Sequence, residues 1–204
     1  MTPGELAQSL AALERGSVVA AATETYCGLL ADARRADAID RIFGLKERDR
    51  GKALALLLPD RASWSSLVCE IPTMAEALAD RFWPGPLTIA LAARKGIDAR
   101  LVVGGAVAAR LPGPSDASEI ARAFGAPLTA TSANVAGGAP CVCVADLERC
   151  FRSAIEQGGL VVVSGEAKGE EPSTIVAIED GRLRIVRRGR ISETELRETV
   201  RCPP

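Results

Sequence analysis

Ser17-Val18-Val19-Ala20-Ala21-Ala22-Thr23-Glu24-Thr25-Tyr26-Cys27-Gly28-Leu29-Leu30-Ala31 is the stretch on which the fold turns. Residues 18–22 contain no polar side chain and read as a buried strand. After the polar Thr23-Glu24-Thr25 a shorter strand is expected around residues 28–31. A polar trio between two apolar strands usually makes only a turn. Threonine, however, is a poor turn residue beside glycine or asparagine, and this turn holds two. A strand end rich in hydroxyls is also a common ligand position in an open α/β sheet.

Outward from this pair the chain alternates helix and strand. Upstream, Thr2-Pro3-Gly4-Glu5 has the composition of a capping box with proline in the first helical position, and Gly16 can end that helix. Downstream, Asp37 is placed to cap a helix in which Ile39, Ile42, Phe43 and Lys46 share a stripe. An apolar run follows at 53–58, then helical patterns at about 61–68 and 73–82, the second with Thr73-x-x-Glu76 as a capping box. Trp83-Pro84-Gly85-Pro86 breaks the chain. Strands are expected at 87–92 and 106–111, a helix at 115–124 closed by Gly125, and a short extended segment at 128–131. A helix at 145–157 and a strand at 160–163 come next. Segments 173–178 and 183–186 then flank Asp180-Gly181, the composition of a hairpin turn, and Ser192-x-x-Glu195 opens a last helix. Hairpins inserted among alternating elements favour a twisted mixed sheet flanked by helices over a purely parallel one. No repeat or composition shift marks a boundary, so residues 1–204 are expected to form one α/β domain.

Composition narrows the chemistry. The 204 residues are 48% hydrophobic but only 3% aromatic, so alanine, valine and leucine must fill the core. A net charge of −1 supplies no overall field toward nucleic acid or an acidic membrane, so such a partner needs a local patch. There is no histidine, which disfavours imidazole proton shuttling and imidazole-held zinc. The cysteines Cys27, Cys69, Cys141, Cys143, Cys150 and Cys202 do not form a disulfide framework. Their one cluster, Cys141-x-Cys143 followed by Cys150, lacks the partners of a zinc site; reduced thiols and no metal site are expected. The start lacks a basic and apolar leader pattern, and no stretch approaches the ~18 apolar residues of a membrane span. A cytoplasmic protein with no membrane partner is expected.

Two polar blocks carry candidate chemistry. Lys46-Glu47-Arg48-Asp49-Arg50-Gly51-Lys52 reads plainly as a solvated helix end, where cations complement the helix dipole. The same cations can contact phosphate where Gly51 lets the backbone approach. Thr131-Ser132-Ala133-Asn134, followed by Gly137-Gly138, is equally an ordinary polar turn or a loop that offers N–H groups to an anion. In residues 182–190, strand alternation sets Leu183, Ile185 and Arg187 on one face and Arg182, Arg184 and Arg188 on the other. Arg187 should then approach the buried side and want an anionic partner, while the other set looks solvated.

Taken in order, these blocks resemble the YrdC-like family of threonylcarbamoyl-adenylate synthases. The family's P-T-E-T-x-Y-G-L stretch is similar to Ala22-Thr-Glu-Thr-Tyr-Cys-Gly-Leu29, and its K-x-R motif to Lys46 and Arg48. W-P-G-P-L-T stands at 83–88, and V-A-x-R-x-P at 107–112. T-S-A-N stands at 131–134, S-T-I-V at 173–176 and R-x-G at 187–189. Departures are Ala22 for proline, Cys27 for tyrosine with the aromatic at Tyr26, and no proline after Arg48. No histidine follows Pro112, and Leu57 stands near where many members have one. The resemblance implies a mixed sheet around a concave basic cleft. It also implies a nucleotidyltransferase that joins L-threonine, bicarbonate or carbon dioxide and ATP, with Mg²⁺, into threonylcarbamoyl-AMP and pyrophosphate. That product serves tRNA modification, handed on to a tRNA-modifying transferase complex, and tRNA itself is a possible partner. By position, Lys46 and Arg48 are the implied catalytic cations. With Lys52, Ser132, Asn134 and Arg187 they form the implied ATP site, while Thr23, Thr25, Arg110 and Ser173 hold threonine, Arg110 on its carboxylate. With its last residue at Pro204, this sequence is not expected to contain the C-terminal domain of longer members. Other possibilities are a divergent paralogue acting on another carbamoyl-nucleotide, or an RNA-binding module without chemistry.

Overall fold

The computed structural model describes residues 1–163, 165–169 and 171–201; Cys202 lies outside them. The strands are β1 (Val18–Ala22), β2 (Cys27–Leu30), β3 (Ala55–Leu57), β4 (Leu87–Ala92), β5 (Val102–Val103), β6 (Ala106–Arg110), β7 (Leu128–Ser132), β8 (Leu160–Val162), β9 (Thr174–Glu179) and β10 (Arg182–Arg187). The helices are α1 (Pro3–Glu14), α2 (Ala36–Lys46), α3 (Thr73–Phe82), α4 (Asp116–Phe124), α5 (Val144–Glu156) and α6 (Glu193–Arg201). The strands join in one sheet, in the order β10-β9-β4-β6-β3-β7-β2-β1-β8, with β5 added beside β6. Three pairs, β1·β8, β3·β6 and β4·β9, are parallel and the rest antiparallel. The expected mixed sheet is therefore present.

Local chemistry explains most boundaries. Thr2 accepts from the Glu5 N–H at 3.2 Å while the Glu5 carboxylate accepts from the Thr2 N–H at 2.7 Å, the reciprocal cap read from the sequence. Ser115 caps α4, and Gly125 ends it at φ 71°. Asp180 and Gly181 take φ 50° and 69°, the left-handed pair that a two-residue hairpin needs. Two expected caps are corrected. Asp37 lies inside the first turn of α2, where it takes the two-pronged contact of Arg35 at 3.1 and 2.8 Å instead. Pro72, extended at ψ 152°, precedes α3, so Thr73 is already helical, and Glu76 binds Arg61. The expected helix at 61–68 is a 3-10 helix, Ala62–Ser66.

Side chains alternate across the sheet, so each strand feeds two layers. On one face Val18, Ala20, Leu29, Leu56, Ile89, Val107 and Val176 pack under residues of α2, α3, α5 and α6. On the other, α1 and α4 bring Ala12, Leu13, Ala117, Ile120 and Ala121 onto Val19, Ala21, Leu30, Leu57 and Leu128. That second layer stops at β3. Beyond it, over β6, β4, β9 and β10, no described helix covers the sheet, and a cleft opens. Among the described residues no helix is long and apolar enough to cross a membrane.

Candidate functional site

The cleft holds about 480 Å³. Its floor is small and apolar: Ala55, Ala90, Ala106, Ala108, Ala130 and Ala177, all lining the space. Its polar groups come from strand ends and turns far apart in sequence, namely Thr23, Thr25, Arg48, Thr88, Arg110, Ser132, Ser173 and Arg187.

The turn between β1 and β2 closes on its own hydroxyls. Thr23 Oγ1 donates to Tyr26 O at 2.8 Å and accepts from the Thr25 N–H at 3.1 Å, and the two threonine hydroxyls lie 3.0 Å apart. This is why threonine serves where glycine is usual: the side chain completes a local ring that fixes the turn. Both threonines are buried at the edge of the cleft.

Arg110, 6% exposed, ends β6 facing the same space. Its nearest counter-charge is Glu24, with Nη1 and Oε1 3.5 Å apart. Burial pushes the Arg110 guanidinium below its ordinary range, and the Glu24 charge works against that shift. Arg187 faces the cleft beside it. Its Nε and Nη2 donate to Ser173 O at 3.1 and 2.8 Å, and Nη2 donates to Ser173 Oγ at 2.9 Å. Ser173 Oγ in turn lies 3.3 Å from Thr88 Oγ1. Burial lowers Arg187 too, and the like charge of Arg110 adds to it.

The expected partition of the β10 arginines is corrected here. A register shift between Ile185 and Arg187 pairs Ile185 with Val176 but Arg187 with Ile175. One extra residue at Val186 turns Arg187 away from the face of Leu183 and Ile185. Its guanidinium, tucked against Ser173, faces the open cleft rather than the apolar layer, and it shares that cleft with Arg184. Arg184, read as solvated, is exposed as expected, at the cleft's margin, where it pairs with Glu179 at 2.9 Å.

At the other end stand the residues after α2 and β7. Lys46, the last residue of α2, is 2% exposed and is not on the cleft lining. Its Nζ donates to Ser132 O, to Asn134 O at 2.8 Å and to Asn134 Oδ1 at 3.1 Å. Ser132 Oγ donates to Asn134 Oδ1 at 2.6 Å, and Asn134 Nδ2 donates to Val135 O and Gly138 O at 2.8 and 3.0 Å. Lysine and asparagine thus knot the loop that presents Ser132. Burial, with Arg48 nearby, pushes Lys46 down to about 8. Glu47 takes a left-handed φ of 48°, which ends the helix. Arg48 then lines the cleft, its Nε and Nη2 donating to Lys52 O and Ala53 O at 2.9 and 3.0 Å. Lys52 itself is exposed and outside the lining. Thr88 and Glu24 had been quoted only as parts of motifs. Thr88 was legible: in Leu87–Ala92 it alternates with Leu87, Ile89 and Leu91, so it belongs on the face opposite the core.

Of the described cysteines, Cys27 lies on the cleft lining. Burial pushes Cys27 up to about 11 and Cys141 to about 12, the latter also through its contact with Cys150. Among the described residues no three His, Cys, Asp or Glu are grouped to hold a metal ion.

Arg110 and Arg187 at one end of the cleft and Arg48 beside Ser132 at the other, with an alanine floor between, give an α/β fold whose open cleft carries arginine at both ends. A family profile described as Sua5/YciO/YrdC, "Telomere recombination", matches residues 11–189. The chain belongs to this family. A relative from Pyrococcus abyssi named threonylcarbamoyl-AMP synthase is 30% identical over 190 residues, 92% of this chain. The chain spans 55% of that relative's length. A relative of the same name from Halorhodospira halophila is 33% identical over 182 residues, covering 88% of this chain and 92% of the relative. The crystal structure titled P. abyssi Sua5 complexed with L-threonine superposes with a TM-score of 0.85 at 29% identity, over 95% of this chain and 56% of that one.

Proposed function

We propose that the chain is a threonylcarbamoyl-AMP synthase, joining L-threonine, bicarbonate or carbon dioxide and ATP into threonylcarbamoyl-AMP and pyrophosphate for tRNA modification. The observation that carries this reading is the convergence of Thr23, Arg48, Arg110, Ser132, Ser173 and Arg187 on one cleft. The names of the relatives supply the substrate class.

In this reading Arg110 takes the threonine carboxylate, and Thr23, Thr25, Thr88 and Ser173 surround the rest of the amino acid. Arg48 and the Ser132 loop, braced by Lys46 and Asn134, receive the phosphates, and Arg187, beside Arg110, reaches the nucleotide from the amino-acid end. The neutral amine of threonine adds to carbon dioxide and loses a proton to solvent, or adds to bicarbonate with loss of water, to give a carbamate. A carbamate oxygen then attacks the α-phosphorus and pyrophosphate leaves. Such transfer needs positioning and charge neutralisation more than proton shuttling, which a site without histidine can provide. Mg²⁺ fits as a companion of the triphosphate rather than as a resident of a protein cage. Glu179 on the cleft lining and the buried Glu24 behind it each have an arginine partner, and Mg²⁺ commonly binds through phosphate oxygens and water.

Pyrophosphate release is the test, measured with each amino acid in turn, with and without bicarbonate. Release that requires both threonine and bicarbonate is expected, and Arg48→Ala should abolish it while leaving the far-ultraviolet circular dichroism unchanged. Release with a different amine points instead to a paralogue acting on another carbamoyl-nucleotide. Salt-sensitive tRNA binding without turnover points to an RNA-binding module.

A further inference from the structure

Cys27, Cys141, Cys143 and Cys150 gather where the Ser132 loop meets α5. Cys27 and Cys141 are buried in the layer that Leu147 and Phe151 of α5 complete. Cys27 senses the charge of Cys143, while the Cys141 thiol is in contact with Cys150 and senses Cys27. Cys141 is 2% exposed, and Cys150 is open to solvent. A sequestered thiol therefore touches one that a reagent in solution can reach.

The backbone of Cys141 supports the cleft. Its N–H donates to Ala133 O at 2.8 Å, and its carbonyl accepts from the Cys27 N–H at 2.9 Å. Residue 141 thus bridges the start of β2 and the residue between Ser132 and Asn134. The two sides of the thiol pair differ in freedom. Leu147 and Phe151, 1% and 4% exposed, anchor α5 on either side of Cys150. Residues 136–139, shortly before Cys141, are exposed, and Gly137 takes a left-handed φ of 82°. A pull between the two sulfurs is taken up on the loop side.

We propose that Cys141 and Cys150 are a redox modification site: a low-molecular-weight disulfide such as glutathione disulfide converts the pair to an intramolecular disulfide, which draws residue 141 toward α5 and weakens nucleotide binding. The exposed Cys150 begins the exchange. Its thiolate attacks one sulfur of glutathione disulfide, giving a mixed disulfide and one glutathione thiolate. Cys141 then gives its proton to solvent, attacks the Cys150 sulfur and expels the second glutathione thiolate. Two protein thiols are oxidised and one glutathione disulfide is reduced. Burial, which pushes Cys141 up to about 12, keeps it from reacting first and leaves it the resolving thiol. A disulfide holds its sulfurs about 2 Å apart, closer than two thiols in contact. The bond from Cys141 to Ala133 O is the one that stretches. The effect on the nucleotide rests on the proposed placement of the phosphates at the Ser132 loop.

The experiment equilibrates the protein with glutathione disulfide, digests it without reductant and identifies the linked peptides by mass. A Cys141–Cys150 link is expected, reversed by dithiothreitol. Cys69, whose thiol donates to Ala93 O instead, should keep its glutathione. In the oxidised protein the KM for ATP should rise about threefold to tenfold, the worth of one backbone hydrogen bond, and return on reduction. Cys150→Ser alters an exposed side chain, so reduced activity should be unchanged while the link and the ATP response to oxidant both vanish. Glutathione retained on Cys150, a link to Cys27 or Cys143 in its place, or an oxidant response that survives Cys150→Ser overturns the inference. So does a complete link that leaves the ATP KM unchanged. A protein that forms the link but, when reduced, releases no pyrophosphate overturns the proposed function and leaves the modification site alone standing.

Discussion

Over β1, β2 and β7 one face of the sheet presents Val19, Ala21, Leu30 and Leu128, and α1 and α4 lie on it. Over β6, β4 and β9 the same face presents Arg110, Ala108, Ala90, Thr88 and Ala177, and no described helix lies on it. The covered half exchanges water for contact at every residue, roughly 1.5–3 kcal/mol for each large aliphatic side chain. The open half offers mostly methyl groups, so leaving it bare forfeits little. A cleft can stay open in a stable domain because its floor was made of residues with nothing to gain from a cover. Its polar groups are then concentrated at strand ends, where they need no ladder partner.

The largest test of this contrast is Arg110→Ala. Threonine-dependent kcat/KM should fall by about a thousandfold or more, and the buried Glu24 carboxylate should lose its counter-charge at a cost of roughly 3–5 kcal/mol in stability. Denaturant titration and steady-state kinetics read the two effects separately. Leu128→Ala is the counterpart in the covered half. It should cost about 2–5 kcal/mol while leaving both KM values of the folded protein unchanged. An Arg110→Ala protein with normal threonine KM would erase the distinction between the halves.

The next test enlarges one methyl in each half. Ala21, fully buried beneath α1 and α4, has no room, so Ala21→Leu should destabilise by about 1–3 kcal/mol or more. Ala108 faces the cleft, so Ala108→Leu should leave the melting temperature within a degree or two. It should nevertheless cut turnover by roughly a hundredfold, by occupying space the substrates need. Equal melting losses in the two variants would mean that the cleft is as tightly filled as the core.

Much of this contrast was legible before any coordinates. The bounds of β1 and β4 match their apolar runs, because each is framed by polar or proline-rich breaks. The conversion of motifs into one cleft was legible through resemblance, and alternation places Thr88 correctly. What escaped depends on tertiary geometry. The extra residue at Val186 has no signature in Arg-Ile-Val-Arg-Arg, yet it alone moves Arg187 to the open face. The two-residue β5 is too short for any periodicity and exists because Val102 and Val103 meet Val107 and Ala106. Lys46 is a helix-end cation in the sequence; only the fold brings two carbonyls of the β7 loop to it. Asp37 failed as a cap because Arg35 holds it.

A subtler perturbation acts where the open face meets its support. A Cβ on Gly189 would strike Pro172 O and come within 2.7 Å of the Ser173 carbonyl carbon. Gly189→Ala must therefore push the end of β10 away from Ser173 and loosen the contacts of Arg187. The expected result is a loss of about 1–3 kcal/mol and a threonine KM raised several-fold, with the ATP KM less affected. An unchanged threonine KM would separate Arg187 from the amino-acid end.

The smallest expected effect concerns the knot behind the phosphate pole. The Lys46 ammonium is shared among Ser132 O, Asn134 O and Asn134 Oδ1. Because burial brings its pKa down to about 8, the closed loop disfavours the charged form, which a loosened, solvated loop accepts more readily. By linkage the loop carrying Ser132 should close more firmly as pH rises through 8 and loosen as it falls, and the KM for ATP should fall on the order of threefold to tenfold between pH 7 and 9. Lys46→Met has nothing to titrate there; its ATP KM should be higher throughout and flat with pH. A fall in the ATP KM with rising pH that persists in Lys46→Met would assign the titration elsewhere. It would also leave Lys46 a purely structural fastening between α2 and β7, on the supporting side of the sheet rather than the working one.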